Sequence, residues 1–113
     1  SATTYGFYDA DDTCIGYAQE QAVKGGSGGY YICYMDADGN PKDYYSNEEA
    51  TQTYDSEGNL IATGTVDFNG FFESQHCYVE ITAQEGSTMQ MDFMDKMAMY
   101  LYLFSDFNSE HLD

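Results

Sequence analysis

The stretch Tyr30-Tyr31-Ile32-Cys33-Tyr34-Met35-Asp36-Ala37-Asp38-Gly39-Asn40-Pro41 decides the fold class. Its first half is aromatic and apolar, which suits a pleated, half-buried surface. Its second half is a turn: an Asp side chain bonds the backbone two residues on, and Gly takes the left-handed position that follows. Strand, tight turn and the start of another strand therefore fit within twelve residues. Pro41 sits just past the turn, where its missing N–H costs nothing.

Outward from this unit the same grammar repeats. Asp9-Ala10-Asp11-Asp12 follows Tyr5-Gly6-Phe7-Tyr8, and Asp55-Ser56-Glu57-Gly58-Asn59 follows Thr51-Gln52-Thr53-Tyr54. The first aspartates of the three units are unevenly spaced, so they express shared turn chemistry rather than a repeat architecture. Lys24 to Gly29 reads as a flexible loop. It lacks the Lys-Ser/Thr ending and the strand-to-helix setting of a phosphate loop. Asn69-Gly70, between Val66-Asp67-Phe68 and Phe71-Phe72, is a strong short-range hairpin signal. It predicts a two-residue turn with Phe68 facing Phe71. Cys77 to Ile81 and Met89 to Phe93 alternate apolar and polar residues at the period of a strand.

Met97-Ala98-Met99-Tyr100-Leu101-Tyr102-Leu103-Phe104 is apolar throughout and carries no obvious cap ahead of it. It is expected as a buried strand. Met94, Met97, Leu101 and Phe104 fall at helical spacing and supply the alternative, a C-terminal helix. Ala18–Lys24 and Asn47–Ala50 are candidates for single helical turns. The expected architecture is all-β: one antiparallel meander of about eight short strands, closed as a small barrel or sandwich to remove exposed edges. The alternative is α+β, a sheet with one C-terminal helix.

At 113 residues the chain has room for one core, hence one domain. Its formal charge is -17, from 20 acids against Lys24, Lys42 and Lys96, with no arginine. A hydrophobic share of 42% is too high for a disordered acidic tail. Without clustered basic residues the chain has no means of holding nucleic acid by its phosphates. An anionic membrane surface is excluded on the same ground, and no apolar run is long enough to span a bilayer. The start Ser-Ala-Thr-Thr suits a processed export product. An extracellular or cell-surface home is therefore expected, with a cytoplasmic one as the alternative.

The acids admit three roles: a solvated surface, a mimic of a phosphate row for a basic partner, or ligands for calcium. Calcium candidates are Asp9, Asp11, Asp12, Asp36 and Asp38, though no cofactor is required by the sequence. Asp9, Asp11, Thr13 and Glu20 fall at positions 1, 3, 5 and 12 of an EF-hand loop. Cys14 replaces the glycine such a loop needs, and the flanks read as strands, so ordinary hairpin turns are the expectation.

Cys14, Cys33 and Cys77 form an odd set without metal-ligand spacing; one disulfide with a free thiol and three reduced thiols are both open. His76 and Cys77 are neighbours, and neighbouring strand residues point to opposite faces, so they do not serve as base and nucleophile. With so many acids, a carboxylate pair for glycoside hydrolysis carries no specificity. The chain is therefore expected not to be an enzyme. Tyr30, Tyr31, Tyr34, Tyr44, Tyr45 and Tyr54 crowd one third of the chain, and alternation sends about half of them outward. Exposed tyrosine provides contact area at low entropy cost, so these six are the candidate binding residues for a protein or a glycan. The functional expectation is a non-catalytic acidic β domain acting by protein–protein binding or self-assembly, homo-oligomers included. Its alternatives are an inhibitor or immunity-type protein that imitates nucleic acid for a basic partner, and a small barrel holding an apolar ligand.

Overall fold

The structure, a computed structural model, describes residues 3–25, 28–71 and 74–111. Seven strands run in chain order as one antiparallel sheet: β1 (Thr4–Tyr8), β2 (Cys14–Ala22), β3 (Tyr30–Met35), β4 (Pro41–Asn47), β5 (Gln52–Asp55), β6 (Leu60–Phe71) and β7 (Ser74–Ala83). Helix α1 (Phe93–His111) follows. The sheet curls into a half-barrel, and α1 packs inside it against β2 on one flank and β6 and β7 on the other. The meander is thus as expected, with the C-terminal helix of the α+β alternative.

Two strands expected from the sequence are not strands. Residues 97–104 are helical. An apolar run of eight is ambiguous by periodicity alone, and the concave sheet face requires a second layer to cover it. As a helix the segment buries Asp95, Ala98, Met99, Tyr102 and Leu103 along one face. The N-cap is Asp92, whose carbonyl accepts the Lys96 amide at 3.0 Å, and Asp95 adds an acid to the first turn. Both favour a helix start through the macrodipole. Residues 89–92 are an irregular connector: Met91 is buried and Gln90 exposed, so their alternation reflects packing without strand pairing. The helical turns considered for Ala18–Lys24 and Asn47–Ala50 are absent too. Ala18–Ala22 lies in β2, and Asn47–Ala50 is a tight turn closed by the Ala50 amide on Asn47 O at 3.0 Å.

The Asn69-Gly70 turn is also overturned. Asn69 pairs with His76 and Gly70 with Gln75, so β6 runs through the pair, and Phe68 lies opposite Cys77. Register is set by what each strand must bury. In the observed register Val66 faces Val79 and Gly64 faces Ile81, which puts Val66, Val79 and Ile81 against the core. A turn at Asn69-Gly70 would slide Val79 and Ile81 past the end of the buried face.

The core lies between sheet and helix: Phe7, Ala18, Ile32, Tyr34, Tyr44, Ile61 and Ala62 meet Met91, Ala98, Met99, Tyr102 and Leu103. The closest approach is at Gly64. A Cβ there would stand 2.6 Å from the Ala50 carbonyl oxygen, 3.0 Å from Leu103 Cδ2 and 3.1 Å from Met99 Cε. Polar anchors pin the helix at two places. Tyr102 donates to Thr3 O at 2.8 Å, with Ala18 O at 3.2 Å. Near the other end, Lys42 Nζ reaches Asp95 Oδ2 at 2.7 Å and Asp92 Oδ2 at 2.8 Å. Tyr44 completes this second anchor: its hydroxyl donates a short bond to Asp95 Oδ2 and accepts the Asp92 amide at 2.9 Å.

Asp95 is fully buried, and its Oδ1 is the buried side-chain oxygen without a hydrogen-bond partner among the described residues. Burial pushes its carboxyl above the usual range, against the lowering effect of Lys42 and Tyr44. Burial pulls the Lys42 ammonium down, but its bonds to Asp92 and Asp95 outweigh this and hold it above its ordinary value.

Two stability predictions follow from these contacts. Gly64→Ala should lower unfolding free energy in urea by about 1–3 kcal/mol, the range for overpacking, because a backbone oxygen blocks the new methyl. Lys42→Met should lower it by about 3–5 kcal/mol by stranding a buried carboxylate, and pairing it with Asp95→Leu should recover most of the loss.

Candidate functional site

In a meander, alternate connections lie at the same end of the sheet. The β1–β2, β3–β4 and β5–β6 tips therefore share one end, with the start of α1. All three tips have one construction. Asp9 Oδ1 accepts the amides of Asp11 and Thr13, each at 2.9 Å. Asp36 Oδ1 accepts those of Asp38 and Asn40, each at 2.9 Å. Asp55 Oδ1 accepts Glu57 N at 2.9 Å and Asn59 N at 2.8 Å. The left-handed residue is Gly39 (φ 84°) or Gly58 (φ 86°) in two tips and Asp12 (φ 63°) in the third. The first aspartate of each tip is thus occupied in holding its own turn, while Asp11, Asp12, Asp38 and Glu57 point carboxylates into solvent. Among the described residues no three His, Cys, Asp or Glu side chains converge as a metal set.

The backbone amides that grip Asp36 and Asp55, first among them those of Asn40 and Asn59, hold both carboxyls below the usual range.

The six candidate tyrosines separate. Tyr34 and Tyr44 face the helix and are buried, with ring centroids 5.6 Å apart; Tyr34 also shares a 2.7 Å bond with Ser46. They belong to the core. Tyr31, Tyr45 and Tyr54 are half-buried on the opposite face, on three adjacent strands. Their centroids are 6.0 Å apart for Tyr31–Tyr45 and 5.7 Å for Tyr45–Tyr54. Tyr30 is exposed at the start of β3. Cys33, paired with Tyr45 across β3 and β4, is buried, and burial raises its thiol pKa. Cys14 and Cys33 are free thiols. The side chains of His76, Cys77 and His111 lie outside the described residues.

A second surface was not foreseen. On the outward side of α1, Phe93 is 68% exposed, Met97 38%, Leu101 48% and Phe104 43%. Their spacing of four, four and three residues places them in one stripe. The sequence carries its signal, since Met97, Leu101 and Phe104 fall at helical spacing. A helix apolar on both sides cannot bury both against a single sheet, and this one buries the other side. Among the described residues no helix is long and apolar enough to cross a membrane.

No family model, curated protein or solved structure matches this chain.

The tip geometry carries a pH prediction. A carboxyl whose folded pKa is depressed contributes stability above its unfolded pKa and loses it as pH falls through the folded one. The share of the melting temperature owed to these two turns should therefore drop as pH falls below roughly 4, the unfolded aspartate value, against the relief of the chain's self-repulsion. In the Asp36→Asn/Asp55→Asn double variant that drop should be shallower, as followed by circular dichroism.

Proposed function

We propose that this chain is a non-catalytic domain that works by binding protein, either a partner or a second copy of itself, through the outer stripe of α1. The observation that carries this reading is the exposure of Phe93, Met97, Leu101 and Phe104 along one line of the helix. Contiguous apolar surface of this kind marks interaction sites. Methionine suits such a surface because its flexible thioether adapts to an uneven partner. Between Phe93 and Ser105 the helix carries only Asp95, buried and paired, and Lys96 as charged residues. The stripe is thus a place where a strongly anionic chain can be approached without facing its own carboxylates. In this reading the Asp turns organise hairpins and supply charge, and calcium is not needed.

A second reading has its own observation. Asp9, Asp11, Asp12, Asp36, Asp38, Asp55 and Glu57 all lie on tips at one end of the sheet. An acidic end of this kind supports steering of a basic partner, which would weaken steeply with salt.

Sedimentation analysis and partner capture test the first reading. Leu101→Glu and Phe104→Glu should each weaken self-association or capture by tenfold or more while the melting temperature holds. Loss of affinity that instead tracks Asp11, Asp38 and Glu57 and vanishes in high salt would move the function to the acidic end.

A further inference from the structure

The face of the sheet turned away from α1 offers a different kind of surface. Strand register aligns Gln19, Cys33, Tyr45 and Tyr54 in one row, and Gln21, Tyr31 and Asn47 in the next. The Tyr45 and Tyr54 rings are tilted by only 35° to each other, while Tyr31 stands at 86° to Tyr45 and presents its edge. Val23, Tyr31 and Tyr45 line an open depression of about 530 Å³. The Tyr31 hydroxyl donates to Gln21 Oε1 at 2.9 Å, and Gln21 Nε2 donates to Gln19 Oε1 at 3.2 Å. A carboxamide offers two donors and two acceptor lone pairs, so this chain of amides keeps capacity for a ligand.

These two rows carry no Asp, Glu, Lys or Arg, in a protein with 20 acids among 113 residues. That selects the ligand. An anion is repelled by the net charge of -17 and finds no arginine to hold it. A cation finds no carboxylate within the two rows, only Asp43 at their margin beside Tyr45, and many more elsewhere. The patch is also small: its longer row crosses β2 to β5, three strand spacings or roughly 14 Å. A stable protein interface needs about 800 Å² per partner. What fits is an uncharged molecule with apolar faces and closely spaced hydroxyls. Its C–H faces would lie on the tyrosine rings and its hydroxyls would pair with carboxamides, the division of labour usual in ligand sites.

We propose that the outer tyrosine ladder is a binding site for a neutral polysaccharide. The proposal is independent of the α1 stripe. Native electrophoresis through gels containing β-glucan, α-glucan, xylan or galactomannan tests it, with alginate as the anionic control. The wild-type chain should be retarded to half its mobility or less in at least one neutral gel and unaffected by alginate. Tyr45→Ala and Tyr54→Ala should restore free mobility. Because cross-strand aromatic pairs also support the sheet, Gln21→Ala serves as the variant that leaves the rings in place, and it should weaken retardation at least threefold. Leu101→Glu should be retarded like wild type. Free migration of the wild type in every neutral gel, or retardation that survives both Tyr45→Ala and Gln21→Ala, would overturn the proposal. Protein capture that depends on Leu101 would stand or fall separately.

Discussion

The contact between the Lys42 ammonium and a buried carboxylate, Asp95, ties the two layers of this protein together. The chain has three basic residues, and Lys42 is spent entirely at the start of α1, between Asp92 and the fully buried Asp95. Taking a carboxylate out of water is costly unless a partner and further hydrogen bonds compensate. Here Lys42 and the Tyr44 hydroxyl supply them from neighbouring positions on β4. Because both come from one strand and meet one helical turn, the contact fixes where α1 begins and how it enters the half-barrel. Tyr102 then fixes the far side through the carbonyls of Thr3 and Ala18. Between these anchors Gly64 sets the depth of packing, since the helix rests where a methyl group would not fit.

With the helix seated, a strongly anionic chain divides its surface by chemistry. Seven of the 20 carboxylates stand on the three hairpin tips at one end, where solvent screens them and the first aspartate of each turn holds its backbone. The convex sheet face keeps tyrosines and carboxamides, and the outer side of α1 keeps apolar residues. Self-repulsion from a net charge of -17 disfavours a compact state, and the acids on the tips are held away from the core. The same arrangement leaves two patches without charged side chains, the tyrosine rows on the sheet and the stripe on α1. Recognition of an apolar protein surface and recognition of a hydroxyl-rich ligand would then not compete for one site.

Local chemistry was legible in the sequence wherever a few adjacent residues decide the outcome. The Asp-x-Asp/Glu-Gly turns are of this type, because an aspartate oxygen and a left-handed glycine close a hairpin without distant help. Asn69-Gly70 shows the limit. Its turn preference is small beside the burial of Val66, Val79 and Ile81, and the longer β6–β7 register prevailed. The apolar run 97–104 fits a strand and a helix equally well until the surface it must cover is known. The cap Asp92, followed by Asp95, was the local cue to the helix. The tyrosines show the same division: alternation predicted that some point outward, and register decided that Tyr31, Tyr45 and Tyr54 do while Tyr34 and Tyr44 do not.

From its sequence alone this protein was determined to be one acidic, tyrosine-rich antiparallel meander with hairpins closed by aspartate. Each of those properties depends on composition or on contacts between near neighbours. Tertiary structure decided that residues 93–111 are a helix, that Lys42 and Asp95 are partners, and that one side of that helix stays uncovered. Lys42 and Asp95 lie 53 positions apart in the chain. No local pattern announces a contact at that separation, because it exists only once the sheet has curled and presented a concave face to be filled.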